Sequence, residues 1–209
     1  MVQRLAALYP GTATELCALD HHDALELLEA TILSAQCTDA RVNMVTPVLF
    51  AKYPDAAALA AANPEDVEEI IRSTGFFRAK ARSLIGMASA VSERYGGEVP
   101  RELSDLVTIP GVGRKTGNVV RSVAFGLPGL PVDTHVLRLS KRLGLSDDLA
   151  PAERDDPVKV EHALNALVPA AERGAFSLRM ILHGRAVCVA RKPHCTRCVL
   201  ADFCPSAAP

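Results

Sequence analysis

The chain has 209 residues, a formal net charge of −1, 49% hydrophobic residues and 22% charged residues. That length can bury a real core in one or two domains, and the composition excludes wholesale disorder. No apolar run reaches the roughly 18 residues of a membrane helix, and the apolar stretch in MVQRLAALYPG is too short for a signal peptide. A soluble, cytoplasmic protein is expected.

The near-neutral total hides an uneven distribution. Residues 1–71 carry −8, residues 72–142 carry +7, residues 143–167 carry −4 and residues 168–209 carry +4. Two basic segments in a neutral chain suit a positive face for nucleic acid. Evenly solvated charge with chance fluctuation is the plainer alternative. With no Trp and 4% aromatic residues, the core is expected to be aliphatic.

Taken in chain order, the periodicity is helical. Asp23 followed by Glu26 is a capping-box-like start for ALELLEATILSAQ, with Leu25, Leu28 and Ile32 on one face. Asn63-Pro64 reads as a cap followed by proline at the first helical position, and that helix ends at Gly75. Residues 77–95 form a long amphipathic stretch closed by Gly96-Gly97. The punctuation from Gly126 to Pro131 reads as an interdomain crossing. Asp156-Pro157 opens a further helix that Pro169 ends. No useful segment alternates as a strand does. An all-α protein of about ten helices is expected.

Residues 106–125, LVTIPGVGRKTGNVVRSVAF, are the most informative. An apolar helix end runs into Ile109-Pro110-Gly111-Val112-Gly113, and a new helix begins at Arg114 or Lys115. Gly111 and Gly113 permit a tight turn with positive φ and a close backbone approach. The amides of the turn and the positive end of the next helix suit a phosphate, with Arg114 beside them. An ordinary αα-hairpin is the bland alternative. Lys115 is a candidate nucleophile, because a helix N-terminus beside Arg114 disfavours an ammonium ion and burial would add to this. Asp133 precedes a helix, so it suits an N-cap and an oriented carboxylate alike.

Four of the six cysteines crowd the C-terminal end: Cys188, Cys195, Cys198 and Cys204, spaced C-x6-C-x2-C-x5-C. Disulfides are not expected without a secretory signal. Spacing alone leaves an iron–sulfur cube, a zinc site and plain buried thiols open. Cys17 and Cys37 stand apart and read as small buried hydrophobes. Between the first two clustered cysteines lies VARKPH. There Arg191 and Lys192 would sit on a rigid basic loop suited to a phosphate backbone, or on a merely solvated one.

With these residues assembled, the chain resembles the endonuclease III family of DNA glycosylases and abasic-site lyases, in the helix-hairpin-helix superfamily with a Gly/Pro-rich loop and a catalytic aspartate. The matching pieces run from Leu16 to Cys204: LSAQCTDARVN (33–43), GFFRAKA (75–81), GEVP (97–100), IPGVGRKTGNVV (109–120), VDTHVLRLSKRLGL (132–145), ILHGR (181–185) and the cysteine motif. The resemblance implies an all-α, two-domain helix-hairpin-helix glycosylase fold with a C-terminal [4Fe–4S] cluster loop. It implies a six-helix barrel domain over 17–127, with the hairpin at about 102–125, and a cluster domain from 1–16 plus 128–209.

By the same resemblance the protein is a bifunctional glycosylase and lyase acting on oxidised pyrimidines in double-stranded DNA, as a monomer. Lys115 would be the Schiff-base nucleophile and Asp133 the essential carboxylate, with the target base flipped into a cleft between the domains. Gln36 would fill the gap left by the extruded nucleotide, and Phe76 would wedge into the stack; a core role is the alternative for Phe76. Asp39 would line the base pocket and His135 would support Asp133, unless either is only structural. The four clustered cysteines would ligate the cluster. Two other readings stay open: a glycosylase for a mismatch or pyrimidine dimer, and a non-catalytic iron–sulfur DNA-binding module. Adenine glycosylases share the cysteine spacing but generally lack the hairpin lysine. Three residues depart from the family pattern: Phe76 where leucine is frequent, Arg78 where asparagine is frequent, and Gly117 where alanine is usual. The first two bear on lesion preference. A glycine inside a helix costs about 1 kcal/mol.

Overall fold

The structure, a computed structural model, describes residues 1–207. Among these there is no strand, and no helix is long and apolar enough to cross a membrane. The α-helices are α1 (Val2–Leu8), α2 (Ala13–Leu16), α3 (Ala24–Leu33), α4 (Asp39–Lys52), α5 (Ala56–Ala60), α6 (Pro64–Ile71), α7 (Phe77–Tyr95), α8 (Leu103–Leu106), α9 (Arg114–Val123), α10 (Thr134–Arg142), α11 (Pro157–Leu167) and α12 (Arg173–Ala186). Short 3₁₀ turns occupy several connections. The helices gather into two compact units, one spanning Cys17–Phe125 and the other Met1–Leu16 with the chain from Gly126 onward.

In the first unit α3 packs against α4, α7 and α9. The single apolar face expected of it is too narrow a description. Every residue from Leu27 to Leu33 is buried, Glu29 and Thr31 included, because neighbours cover the helix on several sides. Thr31 satisfies its hydroxyl on the Leu27 carbonyl at 2.7 Å. At the start of α3, Asp23 accepts from the Glu26 amide at 2.9 Å, but the Glu26 carboxylate takes the His22 amide rather than that of Asp23. The cap is therefore half of a box.

The other local signals act as their chemistry dictates. Asn63 caps α6 ahead of Pro64. A 3₁₀ turn at Arg72–Thr74 follows α6 and leads to Gly75 at φ +71°. After α7, Gly96 adopts φ +63°, and the Gly97 amide reaches the Val91 carbonyl at 3.0 Å, closing the helix as a Schellman-type end.

The second unit packs α10 and α12 together, with α11 on α10 and α1 on α12. Leu5, Leu130, Val136, Leu139, Val160, Leu164, Phe176 and Met180 share its core. Each such side chain, fully buried, contributes roughly 1.5–3 kcal/mol. Arg179 of α12 fastens the N-terminal segment, donating to the Tyr9 and Gly11 carbonyls at 3.0 and 2.8 Å.

Candidate functional site

The hairpin joins α8 to α9 through one tight turn. The Val112 amide donates to the Ile109 carbonyl at 3.0 Å, with Pro110 and Gly111 between them and Gly111 at φ +79°. Proline second and a positive-φ glycine third define a type II turn. Buried Ile109 and Val112 pin it to the unit. A Cβ on Gly111 would lie 2.8 Å from the Cβ of Ser83 in α7, so both φ and packing require glycine there.

Gly113 corrects the expectation of two positive-φ glycines. It is extended (φ −85°, ψ 172°), and a Cβ built on it meets nothing within 4 Å. No contact within the chain accounts for its lack of a side chain.

Gly113 is also the N-cap of α9, and no side chain caps that end. Arg114 is the first helical residue and is half-buried. Lys115 is the second, and it is exposed, which corrects the expectation of burial. Further along α9, the departure at Gly117 gains a packing account. A Cβ there would come within 2.7 Å of Leu103 Cδ1, because α8 crosses α9 at that point.

Asp133 is the N-cap of α10, and its Oδ1 accepts from the His135 and Val136 amides at 2.8 and 2.9 Å. Both bonds fall on one oxygen, Oδ1. The carboxylate is thus oriented by its own backbone and half-buried. The His135 ring turns elsewhere. Its Nδ1 lies 3.1 Å from the Arg138 guanidinium, and Gly184 leaves room for it, since a Cβ there would sit 2.9 Å from Nδ1. A guanidinium only donates, so Nδ1 accepts. Burial lowers the His135 pKa, Asp133 opposes the shift, and Arg138 and Arg185 add to it. The hydrogen bond from His135 to Asp133 runs through the backbone amide.

Gln36 and Phe76 share a property that sequence does not show. They are the two non-glycine residues with positive φ among the described residues, at +53° and +48°. Such backbone costs about 1–3 kcal/mol and gathers at functional loops. Gln36 is exposed in the turn between α3 and α4. Phe76 is 67% exposed at the start of α7, which removes it from the core. Asp39 is the first residue of α4, capped by Thr38, and is half-buried. Arg78 is exposed, with its guanidinium 5.6 Å from the centre of the Phe77 ring.

Cys188, Cys195, Cys198 and Cys204 line one cavity with Arg142, His183 and Leu200. Among the described residues no three His, Cys, Asp or Glu side chains converge on a point that could hold a single ion. Thiols set around a cavity suit a cluster, which takes one thiolate per iron, better than one tetrahedral zinc. N–H groups already point at the sulfurs: Arg142 donates to Cys188 Sγ at 3.2 Å and the Leu200 amide to Cys198 Sγ at 3.4 Å, while His183 Nε2 lies 3.2 Å from Cys198 Sγ. Burial pushes the Cys198 thiol up, the Leu200 amide opposes the shift, and the three neighbouring cysteines add to it. Arg191 and Lys192 are exposed on the loop between the first two cysteines. Cys17 and Cys37 are half-buried in the other unit.

Sequence reasoning missed two residues of α10. Arg138 donates to the Gly184 and Cys188 carbonyls at 2.9 and 3.1 Å. Arg142 donates to those of Val189 and Ala190 at 2.9 and 2.7 Å. The helix that Asp133 caps therefore also holds the cysteine loop. Two cations four residues apart were the available signal, but their partners lie 46 to 50 residues away.

Residues 30–170 match the HhH-GPD superfamily of base excision DNA repair proteins, and residues 188–204 match the iron–sulfur binding domain of endonuclease III. Endonuclease III of Synechocystis sp. is 52% identical over 204 residues, which cover 97% of this chain and 89% of the relative. A solved non-covalent endonuclease III–DNA complex superposes with a TM-score of 0.88 at 42% identity, covering 99% of this chain and 92% of that one. A trapped endonuclease III–DNA covalent intermediate gives 0.88 at 43% identity, covering 99% and 93%.

Proposed function

The chain belongs to the endonuclease III family within the HhH-GPD superfamily, and on that footing we propose that it excises oxidised pyrimidines from duplex DNA, as a monomer, through a Schiff base at Lys115. It is a bifunctional DNA glycosylase and abasic-site lyase of base excision repair, it binds DNA, and it carries a [4Fe–4S] cluster. The observation that carries the residue assignment is Lys115, exposed on the uncapped N-terminus of α9 directly after a turn that leaves Gly113 open.

In this reading the Gly111–Gly113 turn and Arg114 hold a backbone phosphate, and Lys115 meets the damaged nucleotide beside it. Gln36 and Phe76 occupy the stack that the extruded base leaves, and Asp39 lines the pocket that receives it. The neutral amine of Lys115 bonds to C1′. The C1′–N bond breaks, and its electron pair leaves with the base, which takes up a proton. The bonded nitrogen then gives up a proton, the C1′–O4′ bond opens with its electron pair going to O4′, which takes up a proton, and an imine results. The imine acidifies the C2′ proton, and its removal expels the 3′ phosphate oxygen, cutting the strand 3′ to the lesion.

Asp133 stabilises the positive charge that develops at the sugar and helps take up the lysine proton. Its backbone-held Oδ1, which fixes the direction of the carboxylate, supports that role. His135 keeps the start of α10 in place. Cys188, Cys195, Cys198 and Cys204 hold the cluster, which when bound staples residues 188–204 and presents Arg191 and Lys192 to phosphate.

Incubating the protein with a thymine glycol duplex and borohydride tests the assignment. A covalent adduct is expected, and Lys115→Ala should abolish it. An adduct that persists in that variant overturns the nucleophile. An adduct on an abasic duplex but not on thymine glycol overturns the lesion class and keeps the lyase.

A further inference from the structure

Lys80 has no part in the chemistry above, yet its ammonium is one of the most deeply placed charges in the first unit, at 5% exposure. Lys80 Nζ donates to the Leu33 carbonyl and to the Thr74 carbonyl, each at 2.8 Å. Its backbone amide donates to the Phe76 carbonyl at 3.0 Å. Leu33 is the last residue of α3, three positions before Gln36, and Thr74 ends the turn two positions before Phe76. One residue thus ties the segment that carries Gln36 to the segment that carries Phe76.

Two further facts make this arrangement more than a packing detail. Gln36 and Phe76 both hold a left-handed backbone that non-glycine residues avoid, and such conformations persist only where neighbours over-determine them. A buried ammonium is also expensive unless it is well satisfied. Here it faces two backbone carbonyls, one of them at the negative end of a helix. Burial lowers its pKa, and nearby Cys37 opposes the shift. Methionine would fill the same space without a charge to desolvate. The lysine is suited to holding two separate loops at a fixed spacing.

We propose that Lys80 is a positioning residue for lesion recognition: its buried ammonium locks the Gln36 loop to the Phe76 loop, so that both side chains enter the DNA stack as one rigid pair. This rests on the reading that Gln36 and Phe76 enter the stack. Without the tether each loop relaxes toward ordinary backbone angles, and the pair loses its spacing. The loss falls on opened, damaged DNA and spares binding to an intact duplex.

The test is a mutant cycle read as the ratio of affinities for a duplex with an abasic-site analogue and an intact duplex. Melting and visible absorbance of the cluster confirm folding. Lys80→Met is expected to lower the ratio about tenfold, within the range of coupling between residues that share a hydrogen-bond network. It should lower it no further when Gln36→Ala and Phe76→Ala are already present. Should Lys80→Met fail to fold, Lys80→Gln goes through the same cycle, because its amide keeps a donor near one carbonyl. A ratio unchanged by Lys80→Met, with both affinities falling together, marks a merely structural lysine and overturns the proposal. A full independent loss on top of Gln36→Ala and Phe76→Ala overturns the tether while leaving the stack reading intact. If Gln36→Ala and Phe76→Ala themselves leave the ratio unchanged, the reading beneath fails and the proposal fails with it.

Discussion

Glu29 sits in the middle of α3 at 1% exposure, and its Oε2 has no hydrogen-bond partner. Burial, reinforced by Glu26 and Asp23, pushes its carboxyl from 4.5 up to about 8. The folded state therefore holds this proton more tightly than the unfolded chain does. Its contribution to stability is complete below the unfolded value of 4.5 and is lost as pH rises through about 8. Glu29→Gln removes the titration while keeping the shape. Urea unfolding at about pH 5 and about pH 8.5 should show a shallower pH dependence in the variant, with a gain of roughly 1–3 kcal/mol at the higher pH. Parallel pH dependence in the two proteins would show that Glu29 is not the group responsible. The residue scale thus separates two buried ionisable groups. Glu29 costs stability as pH rises toward about 8, whereas Lys80 is satisfied by two backbone carbonyls.

Among the elements, the hairpin divides its two glycines into different jobs. Gly111 is held by its positive φ and by Ser83, whereas Gly113 is constrained by neither. Gly111→Ala should therefore lower the melting temperature, since the left-handed backbone alone costs about 1–2 kcal/mol for a residue with a Cβ. Gly113→Ala should melt as the parent does and yet bind DNA several-fold more weakly, because its methyl group would face the phosphate. Paired melting and binding curves decide this; a Gly113→Ala protein with unchanged affinity would remove the phosphate from that turn. The α8–α9 crossing carries the other glycine of note. At Gly117 the helix gives up about 1 kcal/mol of propensity, and Leu103 fills the space a methyl group would need. Nothing within either helix alone reveals that exchange.

Over the whole molecule, a net charge of −1 coexists with DNA binding because the charge is segregated along the chain. Phosphate contacts release counterions, so affinity should fall steeply with salt despite the neutral total. Lys192 is exposed on the cysteine loop. Lys192→Ala should reduce the slope of log affinity against log salt by about 1 and weaken binding to all sequences alike. Equal slopes in variant and parent would place the loop away from the phosphates. The discontinuous unit has its own fastening. Arg179 and Arg4 join the first sixteen residues to distant partners, Arg4 through Asp202 at 2.5 Å and the Val199 carbonyl at 2.9 Å.

Much of the fold was legible in the linear chain because its signals act over a few residues. Asp23, Asn63, Asp133 and Asp156 each cap the helix that follows, through amides two or three positions on. Pro110-Gly111 writes a type II turn, and Gly96 closes α7, because backbone conformation there depends on the residue itself. The four-cysteine spacing marked a thiol-rich loop open to iron–sulfur, zinc or plain thiols, and the resemblance to the endonuclease III family selected the cluster. Tertiary structure alone decided what depends on partners far along the chain: the burial of Glu29, the bond from Lys80 to a carbonyl 47 residues away, the grip of Arg138 and Arg142 on the cysteine loop, and the methyl-sized space at Gly117. Periodicity shows which face of a helix is apolar. It does not show that other helices will cover the remaining faces, or which distant carbonyl will meet a buried charge.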